Sequence, residues 1–197
     1  NSEVYFCTFQ GVYIYDGQSI SVVQHPDGLA RSFLVNDRLL IESKKGSLLE
    51  LVDGHIIHTS IPSHTDQVIS GILDSDDGLI IFYNSGLIEL SNSVGIRIKF
   101  EGLSKELRGS YVNHILELSD NRLAISTQTS GLVLFDPKSG SIEKITSKDG
   151  LTSNACLRSF QDFHGNLWLG LQNGISMLPI NSPMRLINRD ILLQGSG

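Results

Sequence analysis

Residues 165–178 read Gly165-Asn166-Leu167-Trp168-Leu169-Gly170-Leu171-Gln172-Asn173-Gly174-Ile175-Ser176-Met177-Leu178. Two short apolar runs flank a small polar turn that ends in glycine, which is the pattern of an antiparallel hairpin. Toward the N terminus, Phe163-His164-Gly165-Asn166 forms another turn, with Gly-Asn expected to supply the positive φ angles of a tight hairpin. Before it, Cys156 to Asp162 is a strand with β-branched and aromatic content, opened by the loop Asp149-Gly150-Leu151-Thr152-Ser153-Asn154. Toward the C terminus, Met184 to Ile187 is a weaker fourth strand. The unit therefore predicts four antiparallel strands.

The same phrase recurs along the chain. Its strands begin at Val4-Tyr5-Phe6, Leu39-Leu40-Ile41, Leu79-Ile80-Ile81, Leu123-Ala124-Ile125 and Leu167-Trp168-Leu169. Each reaches a glycine seven or eight residues later, at Gly11, Gly46, Gly86, Gly131 and Gly174, all expected in turns with positive φ. The glycines lie 35, 40, 45 and 43 residues apart. A period near 40 built from short strands specifies propeller blades, because helical arrays of similar period require amphipathic helices. The fold class is all-β, a propeller of four-stranded antiparallel blades with about four complete repeats and a partial one. The whole of 1–197 reads as a single propeller segment, with repeats at approximately 1–28 (partial), 29–66, 67–110, 111–154 and 155–188. Residues 189–197 read as an exit strand or the start of the next blade. The first copy opens on a second strand at Val4, and the chain starts without Met, so a piece of a larger ring is expected.

Composition agrees with the repeat. An apolar content of 40% can build a core, and 19 glycines accompany many tight turns. A net charge of −6 argues against nucleic-acid or anionic-membrane partners. No apolar run approaches the roughly 18 residues of a spanning helix. Cys7 and Cys156 lie far apart and are expected as buried free thiols.

Gly150-Leu151-Thr152-Ser153-Asn154, Gln161-Asp162, Gly165-Asn166-Leu167-Trp168-Leu169-Gly170 and Asn173-Gly174-Ile175-Ser176 together resemble the two-component regulator propeller repeat. The match is tight from Asp149 to Leu178 and degenerate elsewhere; Asn121-Arg122-Leu123-Ala124-Ile125 keeps the strand and loses the tryptophan. The resemblance implies a seven-bladed propeller in the periplasmic sensor region of a bacterial hybrid two-component system or related regulator. It further implies an oligosaccharide ligand, a dimeric receptor and no cofactor. A second family, the virginiamycin B lyase-like propellers, shares the Gly-Asn-Leu-Trp strand and consists of metal-dependent enzymes. That alternative needs a histidine base and acidic ligands converging at the axis, whereas His114 and Glu117 fall on opposite faces of one strand. A purely structural interaction scaffold is the third reading.

No site is explicit in the residues. His55 and His58 point to opposite faces of a strand, and His25, His64 and His164 fall in turns expected to be exposed, so no set with ligand spacing is present. No nucleophile elbow and no phosphate-cradling loop occurs. Trp168 offers either a sugar-stacking platform or a filler between sheets, and its place in a second strand favours the filler. The loops are the better candidates. In a propeller, those entering the first strand share a face with those joining the second and third strands. On that face lie Lys44, Tyr83, Asn84, Arg108, Tyr111, Gln128, Asn154, Gln172 and Asn173 as expected ligand-binding residues. The functional expectation is a non-catalytic sensing module that binds an oligosaccharide or other small polar ligand. Its other partners would be the remainder of the receptor and further copies of itself, joined through the Val4 to Val23 sheet, the Ile175 to Ile187 face and the Ile191-Leu192-Leu193 tail.

Overall fold

A computed structural model describes residues 3–62, 64 and 66–180. The expected strands at Met184 to Ile187 and Arg189 to Gln194, and the loop residues Ser63 and Thr65, lie outside the described residues. The chain forms five antiparallel sheets in sequence order. The first holds β1 (Val4–Cys7), β2 (Gly11–Tyr15) and β3 (Ile20–Gln24). The second holds β4 (Leu29–Val35), β5 (Arg38–Ser43), β6 (Leu48–Val52) and β7 (His55–His58); the third, β8 (Ile69–Ser75), β9 (Gly78–Tyr83), β10 (Ile88–Asn92) and β11 (Gly95–Ile98). The fourth holds β12 (Val112–Glu117), β13 (Leu123–Thr127), β14 (Leu132–Phe135) and β15 (Ile142–Ile145); the fifth, β16 (Cys156–Gln161), β17 (Leu167–Leu171) and β18 (Gly174–Leu178). These are propeller blades. Compactness divides the chain into Asn1–Ile81 with Glu89–Lys99, and Phe82–Ile88 with Phe100–Gly197.

The second strands β5 and β13 are apolar runs rather than alternating ones because both of their faces are buried. In β5, Leu39 to Ser43 are all buried, and β13 is buried throughout. In the first unit, Val12 and Ile14 of the first sheet pack with Leu29, Leu39, Ile41 and Leu49 of the second. In the second unit, Ala124, Leu132 and Leu134 pack with Cys156, Leu167, Leu169 and Leu178. Side chains also bridge sheets. Arg31 Nη1 donates to Ile69 O (2.6 Å), and Ile69 N–H donates to Glu42 Oε1 (3.1 Å), so one peptide is held from both sides. Burial raises the pKa of the Glu42 carboxyl.

One helix, α1 (Glu101–Leu107), interrupts the strand order between the third and fourth sheets. The repeat pattern does not foresee it. Leu103 and Leu107 supply its buried stripe, and Lys105 reaches Glu101 at 3.0 Å one turn earlier. Two turn expectations need correction. Gly11 is not a positive-φ turn residue but the first residue of β2, where a Cβ would run into Val23 O of the paired strand. At the 163–166 turn only Gly165 has positive φ (84°), and Asn166 does not. Cys7 is exposed rather than buried, because β1 has no strand beyond it among the described residues; Cys156 is buried.

Gly131 and Gly140 separate backbone strain from steric exclusion. Both have φ of 73°, but a Cβ at Gly131 would collide with Ile145 O, whereas one at Gly140 meets nothing within 4 Å. We expect Gly140→Ala to cost about 1–2 kcal/mol, the ordinary left-handed penalty. Gly131→Ala should cost clearly more, as read from urea unfolding midpoints.

Candidate functional site

In the second unit the expected binding loops are tied to one another. Val112 N–H donates to Asn84 O (2.9 Å), Gln128 N–H to the carbonyls of Tyr111 (2.9 Å) and Ser110 (3.1 Å), and Gly131 N–H to Asn154 O (2.9 Å). Gln172 N–H donates to Ala155 O (2.9 Å), and Thr152 Oγ1 donates to Asn173 O (2.8 Å). Asn113 Nδ2 bridges Gln128 Oε1 (3.1 Å) and Cys156 O (2.9 Å). The loops at 84, 111, 128, 154 and 172–173 thus form one hydrogen-bonded strip. Locking the backbone leaves side chains as the variable part.

On that strip Arg108, Gln172 and Asn173 are exposed, and Asn84, Gln128 and Asn154 are half-buried. Asn154 Oδ1 is committed to structure, accepting Ser147 N–H at 2.7 Å. Tyr111 is 48% exposed and is held at φ 48°, an unusual conformation for an aromatic residue and a feature that clusters at functional sites. Tyr83 does not belong to the surface. Its side chain ends β9 fully buried, as one of the largest buried side chains among the described residues. Lys44 lies in the first unit, where Leu29 N–H donates to Phe9 O (3.0 Å) and Lys44 N–H to Gly28 O (3.2 Å). Its ammonium stands 5.4 Å from the centre of the exposed Phe9 ring, a neighbour that the repeat pattern does not single out.

Trp168 is corrected as well. It is 42% exposed rather than packed between sheets, and its indole Nε1 donates to Asp162 Oδ2 at 2.9 Å. Asp162 Oδ1 accepts the N–H groups of His164 (3.0 Å) and Asn166 (2.8 Å), and Oδ2 accepts Asn166 Nδ2 (3.0 Å). The repeat spacing Asp162, Gly165, Asn166, Trp168 is therefore the wiring of one turn. The Trp168 indole, followed by the Asn166 amide, holds the Asp162 pKa down at about 2.

The histidines do not converge. His114 Nδ1 lies 3.2 Å from Ser159 Oγ, and burial lowers its pKa to about 4, whereas Glu117 is exposed. His64 is half-buried rather than an open turn residue, with Nε2 3.0 Å from Oε1 of the buried Glu89. His25 is also half-buried. Among the described residues no group of three or more His, Cys, Asp or Glu side chains could hold a metal ion. No helix among them is long and apolar enough to cross a membrane.

Two measurements check these assignments. His114 has a folded pKa below its ordinary 6.5, so its contribution to stability is complete above pH 6.5 and is lost as pH falls toward about 4. Asp162 acts in the next window, its contribution disappearing as pH falls from 3.8 toward about 2. His114→Gln should flatten the first fall in melting temperature, and Asp162→Ala the second. Tyr83→Ala should destabilise the fold by about 3–5 kcal/mol in denaturant titration, as truncation of a buried aromatic does.

No protein-family model matches the sequence, and no curated protein matches it. Solved structures do share its fold. The extracellular domain of a putative receptor of B. thetaiotaomicron, described as a one-component and as a hybrid two-component system, matches in two structures. Their identities are 17% and 14%, with TM-scores of 0.67 and 0.63, over 89% and 91% of this chain. The chain spans only 25% and 28% of those domains. The WD40 β-propeller domain of Doa1 is 16% identical over 90% of this chain and 60% of its own, with a TM-score of 0.67. Virginiamycin B lyase from Staphylococcus aureus is 17% identical over 89% of this chain and 64% of its own, with a TM-score of 0.58. At these identities the likeness establishes the fold: the chain is built of β-propeller blades, as the repeat and the receptor resemblance imply.

Proposed function

We propose that this chain is a non-catalytic sensing segment of an extracytoplasmic bacterial signalling receptor, and that it holds an oligosaccharide on the strip of linked loops. The strip carries the reading. Its backbone groups are satisfied by neighbouring loops, while Arg108, Tyr111, Gln172 and Asn173 stay exposed. Fixed donors and acceptors beside one aromatic face suit a ligand made of hydroxyls on a carbon ring. The repeat resemblance and the fold shared with a putative receptor's extracellular domain support the periplasmic setting. The separation of His114 from Glu117, and the low basicity of His114, support the absence of catalysis. Self-association belongs to the same reading. Val4, Phe6, Ile20 and Val22 of the first sheet, and Ile175 and Met177 of the fifth, are exposed apolar side chains that contact between copies would cover.

Titration calorimetry against a panel of plant and host oligosaccharides tests the proposal, with chromatography of each sugar after prolonged incubation. We expect binding of at least one sugar, recovered intact, and a tenfold or greater loss of affinity in Tyr111→Ala and Gln172→Ala at unchanged melting temperature. A panel without a single binder would overturn the reading. So would metal-dependent cleavage of a bound sugar that His114→Ala abolishes.

A further inference from the structure

We propose that the cleft beside Phe9 and Lys44 is a subsite for an acidic sugar, with the pyranose ring on the exposed part of the Phe9 ring and its anionic group on the Lys44 ammonium. The inference rests on the reading that the chain binds saccharide, and it names the class. The cleft is open, about 660 Å³, and lies wholly within the first unit. Phe9, Gln10, Gln24, His25 and Lys44 line it. A volume of this order accommodates a small ligand, such as one or two sugar units.

Charge decides the class. The cleft's own carboxylate, Asp27, is taken by Lys45 at 2.5 Å, and this pairing holds the Asp27 pKa below the usual carboxylate range. Among the described residues no carboxylate pairs with the adjacent Lys44; its ammonium lies over the Phe9 ring instead. An unneutralised cation at the wall of an open cleft favours an anion there, and it is this combination of charge and cleft that sets Lys44 apart from exposed cations such as Lys148. Geometry holds the cation in place. Gly28, at φ 67°, leaves no Cβ where one would press on Lys44 Cδ at 3.1 Å, so the lysine stem lies across the glycine. Phe9 is 69% exposed, which leaves carbon surface for the C–H face of a sugar. The Gln10 and Gln24 amides supply paired donors and acceptors for ring hydroxyls. A single cation among amides and an aromatic ring suits a uronate or sulfated sugar. A polyphosphate would call for several converging cations or N–H groups.

Calorimetry with defined probes tests the subsite: tetragalacturonate, its methyl ester, and a chondroitin sulfate tetrasaccharide. One or both acidic probes should bind, the ester at least tenfold more weakly than tetragalacturonate if the carboxylate is the ligand group. Preference for the chondroitin probe over its desulfated form would assign a sulfate. Lys44→Gln and Phe9→Ala should each weaken the acidic probe by about tenfold or more, and rising salt should weaken it in the parent only. Lys148→Gln, which removes an exposed charge outside the cleft, should change nothing. Equal binding of acid and ester without preference for the sulfated probe, binding of neutral sugars alone, or acidic binding unmoved by Lys44→Gln would overturn the subsite while leaving saccharide sensing intact. Failure of every saccharide here and in the wider panel would overturn both.

Discussion

Where the chain enters a new first strand, the leading N–H has to find an acceptor, at three entries an oxygen of the preceding sheet or its loop, and the surrounding structure depends on that hand-over. A strand that starts inside a stack of sheets brings buried peptide groups with it, and these need partners. Leu29 N–H finds Phe9 O, and Val112 N–H finds Asn84 O. The first strands make this possible with a repeated irregularity: β4, β12 and β16 each carry a register shift after their first residue, at Leu29/Arg31, Val112/His114 and Cys156/Arg158. A bulge of this kind re-aims the end of a strand without breaking its pairing.

The same junctions explain where polar residues are buried. Arg31 and Glu42 together hold the Ile69 peptide, and Asn113 holds the carbonyl of Cys156, the matching first residue of the fifth sheet. The buried acid Glu42 therefore serves architecture. A deeply buried carboxyl with its charge opposed by desolvation has the profile of a catalytic acid, and the contact with Ile69 assigns it to the backbone instead. His114 follows the same logic, because its ring is spent on Ser159. What remains for ligands is the exposed margin of the linked loops.

Much of this was legible in the residues. Runs such as Leu39-Leu40-Ile41 fixed the second strands because burial on both faces removes the polar alternation. The β17 boundaries, Leu167–Leu171, follow directly from the flanking Gly-Asn and Asn-Gly turns. The helix at Glu101–Leu107 was not legible, since seven residues with two buried leucines make too short a pattern to stand out. Nor was the role of Tyr83. As a residue beside a turn it resembled a loop residue, yet folding buries its side chain completely.

Sequence alone determined the repeat, the strand order within each repeat and the position of the turn at Phe163 to Asn166, because these rest on local periodicity and turn chemistry. Tertiary structure decided what each turn residue faces. Trp168 could be core or platform by sequence, and only the Asp162 bond with its partial exposure separates the two. Lys44 and Lys45 are neighbours of identical chemistry, and only packing gives Asp27 to one and leaves the other over Phe9. The physical reason is range: strand and turn formation is settled within a few residues, whereas charge pairing and burial are settled by contacts between segments that the chain brings together only on folding.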